Sequence, residues 1–292
     1  MALCCSGRCQ AVLKMVIRAG PLFCSSILLI AATLSHAEDA KQLVQRAVQT
    51  ELAADRDDHS RWLYFEIDQR PGHDVKQWVA ETRDGSLRRI VEMNGQAVSE
   101  PEQRTKMDGF LRDGWARSKQ RKSEQHDDEQ AAELLNLLPQ AFIWTSQCAR
   151  GDLTIFHFKP NPQFHPPDLE SRVFAAMEGD MAVNTVQFRI VSLKGRLIHD
   201  VKIGGGWLGN LNAGGTFDVE RRETAKFIWQ ITETHIHIQG HALIFKTISE
   251  QEDDVKTDFS ELPGDISMQQ AEGRLLRAGD AGKLATSRQP SN

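Results

Sequence analysis

Histidines offer the most concentrated chemistry in the 292-residue chain. His235, His237 and Gln239 alternate along one β-pattern run with Glu233 beside them, and His241 follows Gly240. Two imidazoles at i and i+2 on a strand project from one face, close enough to share a metal. A third from the next strand would complete a three-nitrogen site with an open position. Thr234, Ile236 and Ile238 fill the alternate positions, so the same pattern also describes the solvent face of a half-buried strand. His199 shares its face with Leu197, Val201 and Ile203, the setting of a hydrogen-bonded core histidine, and Asp200 points the other way. Gly204-Gly205-Gly206-Trp207-Leu208-Gly209 has the spacing of a dinucleotide-binding loop. That chemistry needs a strand feeding a helix, whereas the next regular pattern, 215–223, is another strand. The loop instead reads as a hairpin tip whose Trp207 and Leu208 pack onto the protein's own helix, cover a cavity mouth or touch a partner. The sequence holds no Gly-x-Ser-x-Gly, no His-Glu-x-x-His and no cysteine pair with zinc spacing, so no catalytic residue is assigned and no cofactor is expected.

The elements that must position these residues are mostly strands. Period-two alternation predicts strands over 172–183, 186–193, 196–204, 215–223, 227–239 and 241–249, with links at Asn184-Thr185, Lys194-Gly195 and Gln239-Gly240 too short for crossover helices. Three further strands, Trp62 to Ile67, Val75 to Thr82 and Arg88 to Met93, are joined or followed by the hairpin signals Asp84-Gly85 and Asn94-Gly95. Two more lie over Ala141 to Cys148 and Leu153 to Lys159. Ala40 to Ala54 reads as an amphipathic helix, with Leu43, Val44, Ala47, Val48 and Leu52 on one stripe. A helical insertion occupies about 99–139, and its charged middle, Lys119 to Gln130, reads as a solvated face or a link. Prolines 160, 162, 166 and 167 stiffen the exit from the second pair of strands, and the β-pattern ends at about Glu250, after which Gln251-Glu252-Asp253-Asp254 is acidic. The fold class is α+β, mostly antiparallel, an open or half-closed barrel of about eleven strands with helices over one face.

Residues 1–37 read as a signal peptide: Arg8, Lys14 and Arg18 precede the apolar run Pro21 to Leu34, which ends in Ser35-His36-Ala37. The apolar run falls short of the ~20 residues that span a bilayer. Met15 would open a more ordinary leader. Cleavage after Ala37 would make the protein periplasmic or secreted, with no transmembrane segment remaining. It would also leave 32 basic against 40 acidic residues, a net charge near −8, which does not favour nucleic acid or an anionic membrane as partner. Cys148 would be the sole remaining cysteine, placed as a small buried hydrophobe rather than a thiol catalyst. Residues 38–262 would form the main domain, and 263–292 a short helix and a disordered tail.

The leader, the helix before Trp62, the meander Trp78-Val79-Ala80-Glu81-Thr82-Arg83-Asp84-Gly85, the proline-rich exit after Phe156-His157-Phe158-Lys159 and the run from Gly179 to Lys246 together resemble the LolA/LolB-like superfamily. Within it they are similar to bacterial outer-membrane lipoprotein-sorting-like exported proteins. The resemblance implies a half-open barrel whose concave apolar face, lidded by helices, binds a lipid or other apolar small molecule in the cell envelope, without enzymatic activity. Alternation nominates Phe156, Phe158, Val173, Met177, Met181, Val183, Phe188, Ile190, Leu197, Val201 and Ile203 as its lining. Two other readings stay open: a metal-binding protein or metalloenzyme using His235, His237 and His241, and a structural envelope protein with a filled core and a protein partner.

Overall fold

The computed structural model describes the backbone of residues 25–203, 209–242 and 246–278, and side-chain environments over 39–203, 209–240 and 251–278. Most of the expected leader, the Trp207-Leu208 tip and the tail from 279 lie outside the described residues. Contacts divide the chain into residues 1–35 and 36–292, and the sheet, the core and the clefts belong to the second unit. No helix among the described residues is long and apolar enough to cross a membrane.

Helix α1 (Ser25–Asp57) precedes the meander β1 (Arg61–Arg70), β2 (His73–Thr82) and β3 (Gly85–Met93). Asn94 and Gly95, with φ of 50° and 75°, turn β3 into the short β4 (Gln96–Ala97), the left-handed pair that the Asn-Gly dipeptide signals. Helices α2 (Glu100–Arg112) and α3 (Gly114–Ala141) follow. Asp113 caps α3 by accepting from the N–H groups of Trp115 and Ala116, and the charged stretch 119–130 is the middle of that helix. Next come β5 (Phe142–Arg150), β6 (Leu153–Pro160), α4 (Leu169–Ala175), β7 (Met177–Asn184), β8 (Arg189–Leu197), β9 (Val201–Ile203), β10 (Gly209–Leu211), β11 (Thr216–Ala225), β12 (Ile228–Ala242), β13 (Lys246–Leu262) and α5 (Met268–Arg277). Among the described residues every strand pairing is antiparallel. The order is β4-β3-β2-β1-β13-β12-β11-β8-β7-β6-β5, with β10 attached to β12 and β9 to β10, and the sheet does not close.

Several expected boundaries change. Residues 169–175 are helical because Asp168 and Ser171 form a capping box, so the strand expected from 172 begins at Met177. Thr185 to Phe188 form a turn, so the strand expected from 186 begins at Arg189. Gly195 is no turn: β8 runs through it, opposite Gly179, where an added Cβ on Gly179 would lie 1.9 Å from the Lys194 carbonyl oxygen. Gly179 thus serves close approach of two backbones, whereas a Cβ on Gly195 would meet the Met177 and Phe158 side chains at 3.4 Å. Gly240 likewise lies inside β12, and a Cβ there would meet the Asn210 carbonyl oxygen at 2.3 Å. The acidic stretch 251–254 does not leave the sheet either. It belongs to β13, which sits between β1 and β12 and joins the first meander to the rest.

Helices cover both faces rather than one. On the first face, Ala40, Val44, Ala47 and Val48 of α1 pack onto Trp144, Phe156, Phe158, Met181, Val183 and Ile190. On the opposite face, Leu63, Phe65, Trp78, Ala80 and Leu87 pack against Met107 of α2 and Ala271 and Leu275 of α5. Register carries the first face across the sheet: Met181 pairs with Leu193, Leu193 with Val219, Val219 with Thr234, Thr234 with Asp254 and Asp254 with Asp68. One continuous face is therefore apolar from β5 to β11 and ionic on β13 and β1, where Asp68, Glu66, Asp254 and Lys256 stand together.

Candidate functional site

A cleft of about 510 Å³ opens where that face changes character. The last turn of α1 contributes Asp55 and Asp57, β1 Tyr64, β2 Glu81, α3 Asp128, and β13 Lys256 and Phe259, while the β11–β12 hairpin supplies Phe227 to Ile231.

Glu51 holds its base together. It continues the apolar stripe of α1 that runs through Val44, Ala47 and Val48, yet it is a carboxylate only 3 % exposed. Arg189 Nε and Nη2 donate to its two oxygens at 3.1 and 2.9 Å in a bidentate fork, and the Ile190 N–H donates at 2.6 Å. Arg221 Nη1 adds a second ion pair. Both guanidiniums then reach the hairpin: Arg189 donates to the Phe227 carbonyl at 3.0 Å and Arg221 to the Trp229 carbonyl at 3.2 Å. Trp229 Nε1 donates to Gln187 at 2.9 Å. The apolar wall of the cleft is thus tied to α1 through one carboxylate and two arginines, which also line the cleft.

That wall is unusually open. Phe227 is 61 % and Ile231 42 % exposed, and Phe227 holds a left-handed backbone (φ 66°) that bulky residues rarely adopt, its N–H donating to Glu223. Across the cleft, burial raises the Glu81 carboxyl to about 7 against the N–H of Trp62, which donates to it at 3.0 Å. Burial also pushes the Tyr64 phenol well up, and burial with Asp55 beside it raises Asp128. Asp254 is raised by burial, with Lys256 opposing. The cleft therefore presents aromatic surface, guanidinium donors and a carboxyl that exchanges its proton near neutrality. That set can hold a ligand with separate apolar and polar parts.

No family model, curated protein or solved structure matches this chain.

The nominated lining residues lie elsewhere. Phe156, Phe158, Met177, Met181, Val183, Ile190 and Val201 are all buried, with Leu197, in the cluster under α1, and Ile203 and Val173 pack against it half-buried. Phe188 is separate: it occupies the β7–β8 turn at φ 53° beneath the Arg46 guanidinium, 3.6 Å from the ring centroid. None of these residues borders the cleft. His235 and His237 share one partner, Asp253, at 2.6 and 3.1 Å, each imidazole on a different carboxylate oxygen. The hydrogen bond to Asp253 first, and also the charge of that carboxylate, raises His235, while the hydrogen bonds to His235 and then His237 depress Asp253. His241 stays on β12 opposite Thr247 instead of starting another strand, and its side chain lies outside the described residues. Among the described residues no group of three or more metal-ligating side chains converges.

Sequence reasoning missed Glu51, Arg189, Arg221, Glu81 and the Phe227–Ile231 wall. Glu51 carried a readable signal, a carboxylate on the apolar stripe of an amphipathic helix. Glu81 carried none, because its burial depends on strands distant in sequence.

Proposed function

We propose that this chain is an exported, non-enzymatic binding protein with a half-open, LolA-like antiparallel barrel, and that it takes a lipid or other amphipathic ligand in the cleft between α1 and the β11–β12 hairpin. One observation carries the reading: a 510 Å³ cleft pairs an exposed aromatic and aliphatic wall, Phe227 to Ile231, with guanidinium and carboxyl groups on its other sides. A ligand chain laid on that wall gains about 0.8 kcal/mol for each CH₂ it removes from water. The face beneath α1 is already occupied by Val44, Ala47 and Val48, which favours the cleft over the apolar face as the ligand position.

Native mass spectrometry of the chain, purified from a bacterial periplasm without detergent and compared with the denatured mass, tests this. The expected result is added mass that extracts into organic solvent and is lost in Ile231→Arg, an exposed position whose substitution leaves the core intact. A bare chain, or added mass that survives Ile231→Arg and Phe227→Arg together, overturns the cleft assignment. The filled core under α1 favours a structural envelope protein as the second reading, and a bare chain would support it.

A further inference from the structure

A second cleft, of about 580 Å³, lies between the N-terminal part of the described α1, the end of α3 and the proline-rich loop after β6. Its chemistry differs from that of the first. Six carboxamides line it: Gln45 and Gln49 from α1, Asn136 and Gln140 from α3, and Asn161 and Gln163 from the loop. Lys41 is the only ionisable residue in the lining. Lys41, Gln45 and Gln49 stand at i, i+4 and i+8, so they form one stripe along α1 beside the apolar stripe that enters the core.

The loop wall is fixed in place. The Asn161 N–H donates to the Ala141 carbonyl at 2.9 Å, and its side-chain amide donates to the Gln140 carbonyl at 2.8 Å. Its side-chain oxygen accepts from the Gln163 N–H at 3.1 Å. Pro160 and Pro162 stiffen the same segment, and Phe164 packs half-buried against the main core, presenting a ring to the cleft. The side-chain amides of Gln45, Gln49, Gln140 and Gln163 have no hydrogen-bond partner among the described residues.

We infer that this cleft binds an uncharged, polyhydroxylated ligand, a saccharide. A carboxamide offers one accepting oxygen and two donated hydrogens, and a hydroxyl donates and accepts at once, so rows of the two satisfy each other without charge. An ionic ligand would enter with no carboxylate and one exposed lysine to answer it. The Phe164 ring supplies the apolar surface that a sugar ring's C–H face covers. A wall already held by Asn161 and two prolines loses little freedom on binding.

The test uses the full chain and three soluble probes, maltotriose, cellotriose and chitotriose, followed by NMR of the glutamine side-chain amide resonances. The inference expects one trisaccharide to shift the Gln45, Gln49 and Gln140 amides saturably. It expects Gln45→Leu/Gln49→Leu to weaken that binding by about tenfold or more with an unchanged thermal melt, and Ile231→Arg, in the other cleft, to leave it untouched. No saturable shift with any of the three, shifts confined to other residues, or shifts produced instead by an uncharged tetrapeptide would each overturn it.

Discussion

Replacing Glu51 by Gln isolates the tie between α1 and the cleft. The wild-type carboxylate accepts from four donors, Arg189 Nε and Nη2, the Ile190 N–H and Arg221 Nη1, at a position 3 % exposed. Gln keeps the shape and one accepting oxygen, but it turns a buried anion into a neutral group facing two guanidiniums. Removing one partner of a buried charge set leaves the other uncompensated and costs about 3–5 kcal/mol. In a chain of this size that corresponds to a fall in Tm of roughly 6–20 °C. Urea unfolding followed by circular dichroism reads the free energy directly. The exposed pair Lys106–Glu102 on α2 gives the contrast: Glu102→Gln removes an ion pair whose two side chains are both about half exposed, a class worth about 0–1 kcal/mol. A third variant, Glu51→Leu/Arg189→Met/Arg221→Met, removes every charge at once and is expected to recover most of the loss. A Glu51→Gln cost below about 1 kcal/mol, or a triple variant no better than the single one, would refute the view that Glu51 is the counter-charge on which both arginines depend.

Gly179→Ala is expected to cost well over about 2 kcal/mol in the same assay, because its Cβ would overlap the Lys194 carbonyl oxygen, whereas Gly109→Ala in α2, with open space around it, should stabilise by about 0.5–1 kcal/mol. Glu81 has a folded pKa of about 7 against an ordinary 4.5, so the folded state binds the extra proton between those values. Its contribution to stability is present below 4.5 and is lost as pH rises toward and through 7, which means Glu81→Gln should gain on the wild type from pH 5 to pH 8. Chemical unfolding at both pH values checks this, and equal differences at the two would contradict it. His235 titrates above the ordinary histidine value, and its loss of stability also comes as pH rises, so an NMR titration should show its pKa falling in Asp253→Asn.

The sequence made the local structure readable wherever one residue type dictates the backbone or a stripe dictates a face. Asn94-Gly95 turned as its φ preferences require, and Val44, Ala47 and Val48 faced the core. It misled where a glycine had two possible uses. Gly195 and Gly240 look like turn residues, and only the register shows that both lie inside strands, with Gly240 letting a neighbouring backbone touch. It misled again at Glu252-Asp253-Asp254, since acidic residues are poor strand formers by composition, while cross-strand partners such as Arg70 for Glu252 and His235 for Asp253 hold them in β13. The α+β, mostly antiparallel class came from alternation alone. The cleft did not, because its walls come from eight elements distant in sequence that only the fold brings together.

That order also fixes when the protein can become itself. Strand β13 follows every other described strand in the chain, yet it pairs with β1 on one side and β12 on the other, joining residues such as Arg61 and Leu262 that lie about two hundred positions apart. Until it arrives, β1 and β12 each present an unpaired edge, the kind of surface that recruits other chains. A nascent chain therefore carries two unfinished half-sheets until β13 has been made. Its dependence on helpers that shield open edges should be set by the time taken to deliver residues 246–262 rather than by the stability of the finished sheet.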